Sequence, residues 1–271
     1  MNKTIANFTA AMAAARLKPP AEIIDDGAIH RFSTNGKPTD ASGWYCLHTD
    51  GIAAGSFGDW RTGLTSTWCS KTDANMTQAE RWASRQRIAA IQKQRDDELV
   101  LRQKNATHQA QRRWQDASSC QQHDYLTRKG IKPNGTKIEG DKLLIPMRDT
   151  AGIIHSLQTI TPNGTKMFML GGRVKGCYFG IGKPMNVLIV CEGFATGASI
   201  HECTGHAVAV AFNAGNLVAV ALALRIKYPS LKIIIAADDD QQTPGNPGMT
   251  KAMEAVREAG GTLAAPTFKE M

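Results

Sequence analysis

The chain has 271 residues, 42% of them hydrophobic, and carries a formal net charge of +8 at pH 7. The length accommodates two domains, or one with an appendage; no window approaches the ~20 apolar residues of a membrane span and no basic-then-apolar leader opens the chain, so membrane-spanning and exported classes are set aside. The basic balance favours polyanionic partners such as nucleic acid, and six cysteines without one C-x-x-C pair argue against a zinc ribbon or disulfide framework and for a reducing, cytoplasmic setting.

Residues 1–75 read as a small β-rich module. Phe8, Met12 and Leu17 give a weak helical stripe, which predicts a short amphipathic helix stopped by Pro19 and Pro20. Short alternating segments follow, separated by Asp26-Gly27, Asn35-Gly36 and Asp50-Gly51, as in a small antiparallel unit. Trp44, Tyr45, Phe57, Trp60 and Trp68 are interleaved with Arg31, Lys37 and Arg61. Such aromatics either stack bases beside phosphate-binding cations or fill the module's core, and the core is the commoner use. Residues 76–118 predict one long basic helix acting as a linker. Thr77 and Glu80 form a capping box at its start. Trp82, Ile88, Ile91, Leu99 and Trp114 form only a sparse apolar stripe among its arginines and lysines, so the helix bridges domains or lies on the surface. Its cations face solvent or a nucleic-acid backbone.

Residues 119–182 predict a further subdomain. A short helix over 124–129 is ended by Gly130. Residues 143–147 and 153–160 read as strands joined by a turn at 149–152. Asn163-Gly164 marks another hairpin, leading to Lys166, Met167 and Phe168. A Gly-rich segment carrying Arg173 and Lys175 follows.

Residues 183–271 concentrate the chemistry. The apolar run 187–190 ends on Glu192-Gly193, and the run 233–237 ends on Asp238, Asp239 and Asp240. Such short continuous runs read as buried strands of a parallel sheet, and helical spacing over 196–203 and 217–228 gives a βαβ order. In open α/β sheets the working residues lie beyond the carboxyl ends of the strands, where both acidic groups fall. Convergent carboxylate oxygens suit Mg²⁺; the plainer alternative is an acidic loop that caps the next helix. Thr196-Gly197 is read as opening the helix after Glu192, with N–H groups available to a phosphate. Cys191 reads as a small strand residue, and His201, Cys203 and His206 lack a zinc spacing. Lys251, on the helix after the acidic loop, either reaches the site as a nucleotide-binding cation or is simply solvated. Gly260-Gly261 ends that helix, and 262–264 predict a last strand.

Glu192-Gly193 after an apolar strand, then a helix, then a strand ending in Asp238-x-Asp240, resembles the TOPRIM domain shared by DnaG-type primases, topoisomerases and some nucleases. Upstream, Tyr125-Leu126 with Lys129-Gly130, the hairpin around Pro146, Asp149 and Gly152, then Gln158, and Gly164 ahead of Lys166, resemble the N-terminal subdomain of DnaG-type primase cores. Residues 1–75 resemble modules preceding TOPRIM in plasmid and phage primase-like proteins.

The resemblance implies an α/β fold, α+β overall: a Rossmann-like parallel TOPRIM sheet in 183–271, a primase-type subdomain in 119–182, a long linker helix and a small β-rich module. It implies that Glu192, Asp238 and Asp240 hold Mg²⁺ or Mn²⁺, and that Lys166 is a catalytic cation on phosphate. Arg128 or Lys129, and the Arg173/Lys175 pair, are then the nucleotide- and template-binding residues. The expected activity is that of a mobile-element DNA primase making short RNA on single-stranded DNA from nucleoside triphosphates, with a replicative helicase as candidate partner. A TOPRIM nuclease using the same carboxylates, or a non-catalytic single-strand-binding accessory protein, are the alternatives. The chain departs from the family in lacking a Cys-rich zinc module, a third acidic motif after the last strand, and a Walker sequence.

Overall fold

One helical turn separates Phe8 from Met12, and burial of both gives helix α1 (Lys3–Ala14) its inner face in the computed structural model. The structure describes residues 2–71, 76–239, 243 and 245–266. They fall into two compact units, Met1–Val100 and Leu101–Met271.

In the first unit, α1 is capped by Asn2 and ends at Ala15 and Arg16, ahead of the prolines. Strands β1 (His30–Phe32), β2 (Gly43–His48), β3 (Ala54–Asp59) and β4 (Leu64–Cys69) form an antiparallel meander in that order. Gly36 and Gly51 turn the chain between strands in the left-handed region, as their pairing with Asn and Asp predicts. Trp44, Tyr45 and Phe57 are at most 2% exposed. They are core residues, so the base-stacking alternative fails for these three. Phe8 meets Tyr45, Phe57 and Trp68 edge-on. By strand alternation Trp44 points to the other face, where Arg95 lies over it and over Trp60.

Helix α2 (Gln78–Asp116) begins at the expected capping box, Thr77 Oγ1 accepting from Glu80 N–H and Glu80 accepting from Thr77 N–H. Hydrogen bonds from Lys71 and Thr77 hold the Glu80 carboxyl down to about 2. The boundary between the units falls within this helix. In the first unit Ser84 and Ile91 are its buried positions, whereas Trp82, expected in the apolar stripe, is 67% exposed. In the second unit Ala110 packs with Leu144, Ile154 and Leu157.

The second unit opens with β5 (Ser118–Ser119) and α3 (Asp124–Lys129), which His123 caps and a left-handed Gly130 ends. Strands β6 (Lys137–Glu139), β7 (Lys142–Arg148), β8 (Ile154–Ile160) and β9 (Lys166–Phe168) complete an antiparallel sheet, with β9 at its edge. A short strand not expected from the sequence, β10 (Phe179–Ile181), leads into the second sheet. There β11 (Val187–Cys191), α4 (Phe194–Thr204), β12 (Ala207–Val210), a 3₁₀ turn (Ala214–Asn216), α5 (Leu217–Lys227), β13 (Lys232–Ala236), α6 (Pro247–Ala259) and β14 (Thr262–Ala264) follow. The strand order is β10–β12–β11–β13–β14, parallel except for β10.

Side-chain alternation assigns the two faces of this sheet. Ile189 and Cys191 join Phe194 and Ala198 of α4, together with Leu143, Ile145 and Met147 of β7, in one core. Leu188 and Val190 join the apolar stripes of α5 and α6 in the other. Among the described residues, no helix is long and apolar enough to cross a membrane.

Candidate metal and nucleotide site

The parallel register brings three strand ends level. Cys191 pairs with Val210 on one side and with Ala236 on the other. Beyond that row the chain stays fastened: Ala211 N–H donates to the Cys191 carbonyl and Phe212 N–H to the Glu192 carbonyl, both at 2.8 Å. Glu192 leaves β11 and Asp238 leaves β13 at this edge, on strands that lie about 4.8 Å apart. Burial, then the charges of Asp238 and Glu192, push the Cys191 thiol up, so this buried sulfur stays protonated and both carboxylates act on the same strand end.

The acidic run divides by geometry. Asn246 caps α6 by accepting from Met249 N–H, and its amide donates to Asp239 at 2.6 Å. Asp239 is therefore engaged with the start of the next helix. Gly248, the second residue of α6, packs its backbone directly on Asp238: a Cβ there would lie 2.4 Å from the Asp238 carbonyl oxygen. Asp240 lies outside the described residues. Among the described residues no group of three His, Cys, Asp or Glu converges closely enough to hold a metal ion. Glu192 and Asp238 supply hard oxygen donors on adjacent strands, a set that fits Mg²⁺ with its retained waters and a substrate phosphate.

The helix after Glu192 starts earlier than its sequence suggests. Gly193 is the cap and Phe194 the first helical residue. Gly197 N–H already donates to the Gly193 carbonyl at 2.9 Å, so it is not open to a phosphate. Gly197 instead lets α4 approach the sheet, since a Cβ would lie 2.7 Å from Val210 Cγ2 and 3.0 Å from Cys191 Sγ.

The candidate basic residues differ in exposure and pairing. Lys166 stands exposed on β9, with Nζ 6.0 Å from the Tyr125 ring centre. Arg128, on α3, donates to the Pro162 carbonyl at 3.0 Å, so it braces the hairpin that presents Lys166. Lys129 and Lys175 are exposed. Arg173 pairs with Asp149 of the β7–β8 turn at 3.4 Å, and Asp149 also accepts from His155 at 2.8 Å. Lys251 pairs with Glu254 on its own helix at 2.6 Å.

With this geometry in place, residues 187–267 match the family model described as Toprim domain. This segment is similar to Toprim domains. Over 262 residues, 90% of its length, the chain is 39% identical to DNA primase TraC of Escherichia coli, and over 259 residues it is 36% identical to a second Escherichia coli protein of that name. The chain spans 24% and 18% of the length of these two relatives. Similar solved structures include the primase fragment of the bacteriophage T7 primase-helicase, at 16% identity and TM-score 0.44, covering 57% of this chain and 68% of that one. The DnaG catalytic core is similar at 12% identity and TM-score 0.40, covering 62% and 71%.

Two residues beside the Toprim edge escaped the sequence reading. Asn216 is one of them. Its buried side chain accepts from Gly176 N–H at 2.8 Å and donates to the Cys177 and Ala211 carbonyls at 2.9 Å, tying the Gly-rich segment of Arg173 and Lys175 to the Toprim sheet. A buried amide must find such partners, and that was the available signal. Phe212 adopts φ +73°, rare for a bulky residue, and carries no sequence mark.

Proposed function

We propose that this chain is a metal-dependent DNA primase of a mobile element, joining nucleoside triphosphates into short RNA on single-stranded DNA. The observation that carries the reading is the 39% identity to DNA primase TraC across 90% of the chain, which takes in the Toprim edge and the residues ahead of it. In this reading Glu192 and Asp238 hold Mg²⁺ or Mn²⁺, with Asp240 as a further donor. The ion supplies charge for phosphate oxygens and acidifies the attacking hydroxyl.

The chain's own groups do the rest. Asp239, held by Asn246, keeps the acidic loop against α6. Lys166 offers its ammonium to phosphate oxygens as their charge grows, and among the described residues no carboxylate pairs with it. Lys129 and Lys175 hold template phosphates from the exposed rim. Arg128 and Arg173 contribute through the segments they brace, and Lys251 reaches a phosphate by exchanging Glu254 for it.

The test is ribonucleotide incorporation on single-stranded DNA as Mg²⁺ or Mn²⁺ is titrated, in the parent and in Glu192→Gln. Incorporation should require the ion and fall at least about 100-fold in the variant, whose circular dichroism should match the parent. Parental yield from Glu192→Gln would overturn the assignment. Metal-dependent shortening of the DNA without incorporation would replace primase with nuclease.

A further inference from the structure

We infer that Phe168 is a base-stacking residue, propped edge-on by Phe212, which takes one unpaired nucleobase whose phosphate Lys166 holds. The inference deepens the primase reading of the same site and rests on it. Phe168 is 41% exposed on edge strand β9, beside Met167 at 48% and Leu170 at 84%. It belongs to none of the buried core clusters. Strand alternation turns Met167 to the opposite face, so Phe168 presents its exposed ring singly on the face it shares with Lys166.

Its one ring neighbour among the described residues is Phe212, with ring centres 6.2 Å apart and planes at 81°. Phe212 holds that ring from a left-handed backbone, φ +73°, while it is 7% exposed and its N–H is tied to the Glu192 carbonyl. Unusual backbone of this kind persists where the surroundings over-determine it, commonly at working sites. The same peptide thus links the aromatic prop to the residue that carries one of the metal-binding carboxylates.

Strand alternation then supplies the phosphate. Lys166 and Phe168 are two residues apart on β9, so they share a face at a spacing of about 6.6 Å. A cation and an aromatic face at that separation match the phosphate and base of one nucleotide. Single-strand-binding surfaces combine these two elements, and stacking tolerates any base because every base has a π-face. The base comes from the template strand or from an incoming nucleoside triphosphate, and the two sources separate experimentally.

The experiment uses the whole chain and two fluorescent single strands of equal length, one of thymidines and one abasic, without metal or nucleotide. The parent should bind the base-bearing strand about tenfold more tightly than the abasic one. Phe168→Ala should lose that preference with an unchanged salt slope, Phe168→Trp should keep it, and Phe168→Leu, apolar but without a π-face, should lose it as alanine does. Lys166→Ala should instead weaken both strands and lower the salt slope by about 0.7. If the strand preference survives in Phe168→Ala while its KM for nucleoside triphosphate rises about tenfold, the stacked base is that of the incoming nucleotide. Parental behaviour of Phe168→Leu in both assays overturns the inference. Because strand binding needs no synthesis, a parent that shows the Phe168-dependent preference but never primes refutes the primase reading alone.

Discussion

Replacing Gly248 with alanine tests whether the start of α6 sets the position of Asp238. A Cβ on Gly248 would lie 2.4 Å from the Asp238 carbonyl oxygen and 3.4 Å from its Cβ. Close C···O contacts are met at about 3.3 Å, so the two backbones must separate by about 0.9 Å. Helix propensity alone favours alanine by about 1 kcal/mol, whereas overpacking costs about 1–3 kcal/mol. The blocking atom is a backbone oxygen that cannot rotate aside, so the clash wins and a net loss of about 1 kcal/mol is expected. For a unit of this size that lowers Tm by about 2–4 °C. The larger effect falls on chemistry, because displacing a reacting group by about 1 Å costs about 100-fold in rate. Gly248→Ala should therefore remain folded, melt slightly earlier, and incorporate ribonucleotides about 100-fold more slowly. A variant that melts later than the parent and primes at the parental rate would refute the reasoning.

Further outcomes follow from groups outside the carboxylate pair. Asn216→Ala leaves a part-buried N–H and two carbonyls without this partner, at about 1–3 kcal/mol each before relaxation, so urea unfolding should show a loss of about 3 kcal/mol; a loss below about 1 kcal/mol would contradict the latch. Burial alone would raise the Asp149 carboxyl, but hydrogen bonds from His155 and the Ile153 and Ala151 N–H groups outweigh it and hold it below the usual range. A depressed folded pKa gives stability that is present above about pH 3.9 and lost as pH falls through the folded value, so Asp149→Asn should flatten the acid limb of a stability profile, and an unchanged limb would contradict the hub. Thr77→Ala should cost about 1 kcal/mol by removing the capping hydroxyl of α2, measured by thermal unfolding. An unchanged Tm would show that the capping box does not hold the helix start.

The sequence made the Toprim edge legible because its strands are short unbroken apolar runs that stop on acidic residues. Ile189 and Leu188 point to opposite cores, so both faces needed apolar residues and the run could not alternate. The 149–152 turn and the Asn163-Gly164 hairpin were equally plain, since left-handed glycines mark both. What escaped depends on tertiary contact. Strand β10, three residues with a central glycine, exists because β12 offers it an edge. Trp82 looked like a core residue by type, but α2 buries Ser84 and Ile91 instead, leaving the indole outside that narrow track. Gly197 read as a helix-start glycine and Gly248 carried no mark, and only the approach of Cys191, Val210 and Asp238 reveals why a side chain is refused there. Asp238 and Asp239 are identical as letters, and the Asn246 amide separates their roles.

The most direct test of the account is a priming reaction with single-stranded DNA, labelled ribonucleoside triphosphates and Mg²⁺ or Mn²⁺, run beside Asp238→Ala. The account predicts short, alkali-labile labelled products from the parent and none from the variant at equal folded concentration. Equal product from both would remove Asp238, and with it the Toprim edge, from the chemistry.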